Sequence, residues 1–147
     1  RAAALPGSHR IRGAASLTRW PPRGMPAPVD LSAALASFGD TWSPRVVARR
    51  NDYEVRVVKL DGELVWHRHD DTDELFLVLD GELTIQLRDG DVVLGPLDVY
   101  VVPRGVEHCP RAGAAVSAML FEPKGTVNTG DAGGARTADL TELDDLN

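Results

Sequence analysis

Along the middle of the chain hydrophobic and polar residues alternate over short distances. Leu83, Ile85 and Leu87 interleave with Glu82, Thr84 and Gln86, the period-two pattern of a strand with one buried and one wet face. Runs of similar character cover 53–60, 64–69, 74–79, 82–87, 91–94, 98–102 and 115–121. Between them stand Asp61-Gly62, Asp80-Gly81, Asp89-Gly90, Gly95-Pro96 and Pro103-Arg104-Gly105, pairs and triplets that turn a chain tightly. Short strands with a turn every ~8–12 residues predict an all-β sandwich or barrel. One short helix is predicted over 30–38 (DLSAALASF), with Asp30 as its N-cap. The strand region holds no segment long enough for the helix of a βαβ crossover.

The flanks read differently. Residues 1–24 contain Arg1, Arg10, Arg12, Arg19 and Arg23 and no acid, so against −6 overall the remainder carries −11. The first 28 residues also hold five of the ten prolines, which would break the amphipathic helix of a transit peptide. We therefore expect residues 1–28 to be a disordered leader or an added extension, Gly7-Ser8-His9 resembling the remnant of a cleavable tag. At the other end, 125–147 has four glycines and no aromatic residue, and is expected to be a mobile tail with a short helix near 140–146. The compact domain is then 29–124, small enough to gain from dimerisation.

Composition narrows the function classes. The acidic balance disfavours a nucleic-acid partner. No apolar run approaches the ~18–20 residues that span a bilayer as a helix. A single cysteine, Cys109, makes no internal disulfide, and a cytoplasmic setting is expected.

Of four histidines, three lie in the strand region: His67, His69 and His108. His67 and His69 are two apart on a predicted strand, so both imidazoles face one way. Glu74 opens the next strand, and the intervening loop can return its carboxylate beside them. His108 comes much later and needs the fold to bring it in. Three imidazoles and a carboxylate suit a divalent transition metal such as Fe, Mn, Zn, Ni or Cu. Read singly, His67 and His69 are also plain polar strand residues, Glu74 a solvated acid and His108 a structural histidine. Asp70, Asp71 and Asp73 are alternative carboxylates or an acidic rim.

Joined by spacing, these residues resemble a known family. The stretch from Gly62 through His67, His69 and Glu74 to Gly81 resembles the first cupin motif, and Pro103-Arg-Gly105-Val-Glu-His108 resembles the second. The likeness spans about residues 46–122. The first spacing is one residue short, Leu97 stands where a glycine usually precedes the acid, and no asparagine follows His108. The resemblance implies a double-sheet β-barrel, a jelly roll with one metal ion held by His67, His69, Glu74 and His108. Some small relatives are labelled mannose-6-phosphate isomerase-like. It also implies a homodimer, with Trp42 and Trp66 on the outer face or at the interface.

Strand parity places Val65 with the histidines and Phe76 and Val78 with Glu74, while Tyr100, Met119 and Phe121 lie on strands that can line the barrel. These six are the expected pocket lining, though core packing explains each as well. Cys109 should face away from the metal. Tyr100 is the one candidate acid or base, since Glu107 has the opposite parity to His108. The expected function is metal-dependent turnover of a small molecule, of dioxygenase or isomerase/lyase type. The rival is a non-catalytic module that captures a small ligand.

Overall fold

The computed structural model describes residues 23–143; the leader expected over 1–28 falls largely outside them. Helix α1 (Leu31–Ala36) begins where Asp30 accepts hydrogen bonds from the amides of Ser32 and Ala33, at 2.9 and 3.2 Å. Capping of this kind is worth about 1 kcal/mol. Eight strands follow: β1 (Arg45–Arg50), β2 (Tyr53–Glu63), β3 (Glu74–Asp80), β4 (Leu83–Leu87), β5 (Val92–Leu94), β6 (Val99–Val102), β7 (His108–Pro123) and β8 (Thr141–Glu142). The protein is an all-β jelly roll with one short helix.

Strand β7 organises the fold. Its first part pairs with β4, and its second part lies between β2 and β3, all antiparallel. Strand β6 adds to β3, β5 to β4, and β1 to the far side of β2. Val58 and Leu60 of β2, Phe76 and Val78 of β3, Leu83 and Ile85 of β4, and Val116, Ala118 and Leu120 of β7 form one buried cluster. Gly81 makes the β3–β4 turn at φ +85°, and a Cβ there would stand 2.9 Å from the carbonyl oxygen of Ala115, so both backbone angle and space demand glycine.

Two expectations change. The strand expected over 64–69 does not form a ladder. The chain there touches β7 only through Leu64, bonded to Pro110, and an isolated bridge between His67 and His108. The carbonyl of Val65 instead accepts from the His67 ring, which takes it out of any ladder. Trp42 does not lie on an outer face: it is 5% exposed and belongs to the core cluster. Trp66 lies under the Arg88 guanidinium, 3.7 Å from the ring centroid.

The described part of the segment after Gly125 makes specific contacts with the barrel. Thr129 is fully buried, and Arg68 is clamped by Asp131 through two backbone-directed bonds, its N–H donating to Asp131 Oδ1 at 2.8 Å and its carbonyl accepting from Asp131 N at 3.0 Å. Gly130 makes this possible, since a Cβ would come within 2.2 Å of the Arg68 oxygen. In place of the expected helix, Thr141–Glu142 pairs with β1 as a parallel strand. Residues 144–147 lie outside the described range. Among the described residues no helix is long and apolar enough to cross a membrane.

Candidate metal centre

Four side chains from distant parts of the chain converge at one end of the barrel. His67, His69, Glu74 and His108 are all buried, and their ligand atoms lie within 4.8 Å of one another. Glu74 reaches inward from the start of β3 by the same parity as Phe76 and Val78. His108 opens β7, and the 64–69 segment brings the other two histidines alongside it. Asp70, Asp71 and Asp73 stay exposed and are not part of the cluster; Asp70 pairs with Arg68, and Asp73 caps the Arg104 amide.

The protonation pattern follows from the hydrogen bonds. His67 Nδ1 lies 2.9 Å from the Val65 carbonyl and His108 Nδ1 lies 3.0 Å from the Val106 carbonyl. A carbonyl only accepts, so each Nδ1 carries a proton and donates, which leaves Nε2 facing the cluster. His108 Nε2 donates to Glu74 Oε2 at 2.7 Å, and His69 Nε2 stands 3.2 Å and His67 Nε2 3.8 Å from the same oxygen. Burial disfavours charge on both partners of the His108–Glu74 pair, yet their hydrogen bond prevails, raising the imidazole above its ordinary pKa and holding the carboxyl well below the usual range. His67 moves the other way, since burial favours its neutral form more than Glu74 opposes it.

The nitrogens His67 Nε2 and His69 Nε2 are buried and without hydrogen-bond partners. Buried polar atoms are seldom left so, and the omission calls for an ion or a water. A metal fits: neutral imidazole Nε2 atoms oriented by carbonyls at Nδ1, with a carboxylate, are the donor set such ions take. At metal–ligand bonds of ~2.1 Å, two ligands stand at most ~4.2 Å apart, so shifts of a few tenths of an ångström would gather all four.

The Cupin domain family model matches residues 54–122. The uncharacterised protein YdbB of Bacillus subtilis (strain 168) is 42% identical over 79 residues, 53% of this chain and 70% of that protein. A cupin-2 domain protein from Shewanella frigidimarina, solved by crystallography, is 44% identical and superposes with a TM-score of 0.65 over 65% of this chain and 94% of its own. The chain belongs to the cupin family. NMB1881 of Neisseria meningitidis has the same architecture at 27% identity, with a TM-score of 0.61 over 67% of this chain and all of its own.

As a cupin, the protein departs from its expected lining in places. Phe76 and Val78 do face inward, and the Phe76 ring centroid is 6.3 Å from that of His108. Tyr100 sits opposite Phe76 on β6 and packs against the core. Val65 contributes its carbonyl to His67 rather than a wall. Met119 and Phe121 are corrected: the buried positions of β7 run through Ala118, Leu120 and Glu122, so the other two point outward, with Phe121 stacked on Tyr53 at 5.0 Å. The strand run started at an even-numbered buried position, which a list of large apolar residues overlooks. Glu107 lies outside, paired with Arg88 at 3.1 Å. Cys109 is buried outside the ligand cluster, and burial, with Glu63 nearby, pushes its thiol up to about 11. A buried thiol so raised carries little of the reactive thiolate at neutral pH.

Sequence reasoning missed a buried charge network next to the four-residue cluster. Glu54, Arg56 and Glu122 are all almost fully buried. Arg56 donates to Glu54 Oε2 at 2.7 Å, to Glu122 Oε2 at 2.6 Å and to the Thr126 carbonyl at 2.7 Å. Glu54 pairs with Glu122 across β2 and β7, and the β3 register places Glu74 next in the row. Burial, and after it the Glu74 charge, pushes the Glu122 carboxyl well up. The missed signal was parity within 53–60, where Glu54 and Arg56 share the face of Val58 and Leu60.

Proposed function

We propose that this cupin binds one divalent transition metal ion through His67, His69, Glu74 and His108, and uses it on a small molecule at the same end of the barrel. The observation that carries the reading is the pair of buried, partnerless imidazole nitrogens facing Glu74. When bound, the ion would supply Lewis acidity or a site for O₂. The chain's own part is to hold the ligand tautomers through Val65 and Val106, to keep Glu74 ionised, and to exclude water.

Between the two catalytic branches, the lining supports dioxygenase chemistry. The walls of the cavity beside Glu74, among them Trp42, Val58, Leu64, Phe76 and Leu120, carry no further acid or base, and Glu122, the buried carboxyl next in the row, does not line it and is held by Arg56. An isomerase or lyase needs a positioned group to move a proton. The same apolar lining also favours the second reading, a module that captures a small ligand without turnover. We also propose a cytoplasmic setting, supported by the single cysteine.

Elemental analysis of the purified protein, beside a His67→Ala, His108→Ala double variant, is the test. Near-stoichiometric metal in the parent and none in the variant is expected. Iron-loaded protein would then be screened for O₂ uptake with small neutral substrates. No metal in the parent, even after soaking with each ion, overturns the proposal; metal and tight ligand binding without turnover selects the capture module.

We also propose a homodimer. Val99 and Val101 are exposed by 57 and 43% on edge strand β6. Val101, Leu75, Phe121 and Val55 stand in register across four strands on the outer face. Such a row supports pairing with a second copy.

A further inference from the structure

Two spaces of different size adjoin the four-residue cluster: a wide cleft open to solvent that His69 lines, and a narrow cavity inside the barrel against Glu74. The cavity against its carboxylate leaves room for about one water molecule. Three of its walls, Trp42, Pro44 and Asn128, lie outside the residues that match the Cupin domain, 54–122. The core that the family shares builds the ligands, and the flanks of this chain build the cover.

Trp42 is the largest part of that cover, and it is held from three sides. Its N–H donates to the Lys59 carbonyl at 2.8 Å, and its indole Nε1 donates to the Asp61 carbonyl at 2.7 Å. Its own carbonyl accepts from Asn128 Nδ2 at 3.0 Å. Asn128 is itself fixed by the later chain, donating to the Arg136 carbonyl and accepting from the Ala138 amide, each at 2.9 Å. The two flanks therefore meet at the wall of the cavity beside Glu74. Trp42 also has φ +58°, a left-handed conformation that a bulky side chain adopts only when its surroundings hold it there. The hydrogen bonds supply that hold, and the result is an indole seated in the core cluster.

We propose that Trp42 sets the size of the ligand that reaches the metal beside Glu74. With the indole in place, the inner cavity holds a ligand of about the size of water, and a bicyclic molecule is refused. The apolar walls disfavour a charged ligand group without a partner. The inference rests on the metal-site reading above and names its substrate class.

The experiment uses the whole protein loaded with cobalt(II), whose visible absorption changes when its ligands change. The probes are azide, a small anion that can reach the metal from the open cleft at His69 and so reports on the metal alone, and benzimidazole, which has the bicyclic shape of the indole. Removing the indole in Trp42→Ala is expected to tighten benzimidazole binding at least about tenfold, equivalent to ~1.4 kcal/mol, with azide changed less than about twofold. Trp42→Phe keeps most of the packing, guards against a folding defect, and is expected to show a smaller gain of the same sign. Equal benzimidazole affinity in all three cobalt proteins overturns the proposal and leaves the metal site standing. If the parent takes up no cobalt, the metal-site reading fails instead. Calorimetry with benzimidazole on the metal-free proteins then decides the role of Trp42: binding only to the variants supports it, and equal or absent binding throughout overturns it.

Discussion

His67 and His108 grip one another through the backbone: the His67 amide donates to the His108 carbonyl at 3.0 Å, and the His108 amide donates back to the His67 carbonyl at 2.9 Å. This single bridge joins residues 41 positions apart in the chain. It sets two imidazoles side by side, with ring centroids 4.3 Å apart, before any metal arrives. The ligand arrangement is thus fixed by main-chain atoms that a side-chain substitution does not remove.

His67→Ala should therefore separate metal binding from folding. The variant keeps the bridge and loses a buried imidazole whose Nε2 has no partner. Its metal-free melting temperature is expected to stay close to that of the metal-free parent. The rise that metal gives the parent, ~2.7 kcal/mol at a hundredfold excess over Kd, should vanish. Thermal melts with and without metal check both; a large fall in the metal-free melt would contradict the account.

Arg56→Met should be one of the most damaging single changes. It leaves Glu54 and Glu122 buried without the guanidinium that both accept from. Breaking a buried ion network by removing one partner costs about 3–5 kcal/mol. Urea unfolding measures this, and a loss under about 1 kcal/mol would show that the carboxylates find water or each other's proton.

Acid should weaken the same network through Glu54. Burial opposes its ionisation, but the bonds from Arg56 and then Arg49 outweigh it and hold the carboxyl below the ordinary 4.5. A depressed folded pKa contributes stability that is complete above 4.5 and is lost as pH falls through the folded value. The stability gap between parent and Glu54→Gln should accordingly be constant above pH 4.5 and shrink below it. Paired urea titrations across that range would expose a gap that widens in acid, the opposite sign.

Leu97→Gly should stabilise the protein. Leu97 has φ +71° and is 77% exposed, and its N–H donates to the Val78 carbonyl at 2.7 Å. Glycine keeps that bond and removes the Cβ penalty of the left-handed conformation, ~1–2 kcal/mol, less its own greater unfolded entropy. A net gain of about 0.5–1 kcal/mol is expected from denaturation curves. A loss would mean that the leucine side chain is buried in an interface.

Val99→Glu tests the dimer. Val99 is 57% exposed on β6, opposite Leu77 in the outer row. A charge there would be tolerated in a monomer and would disrupt a packed pair. Light scattering should give a dimeric mass for the parent and a monomeric mass for the variant. A monomeric parent at all concentrations would end the proposal.

Much of this protein was legible in the sequence because its governing rules are local. The alternation in 82–87, the Asp-Gly turns and the capping aspartate of α1 each depend on neighbours within a few residues. The candidate cluster was legible too, since His67, His69, Glu74 and His108 stand at motif spacings. What the tertiary structure alone decided depends on partners far away in the chain. The 64–69 run gave up its ladder because the Val65 carbonyl serves the His67 ring. Met119 and Phe121 turned outward because their neighbours Ala118, Leu120 and Glu122 took the inner face of β7. The polar, flexible-looking stretch after Gly125 became part of the barrel end because Gly130 lets it lie against the Arg68 carbonyl and Asn128 reaches Trp42. Composition predicts how a segment meets water; which surface it meets instead is set by packing between elements, and no periodicity in the segment itself records that.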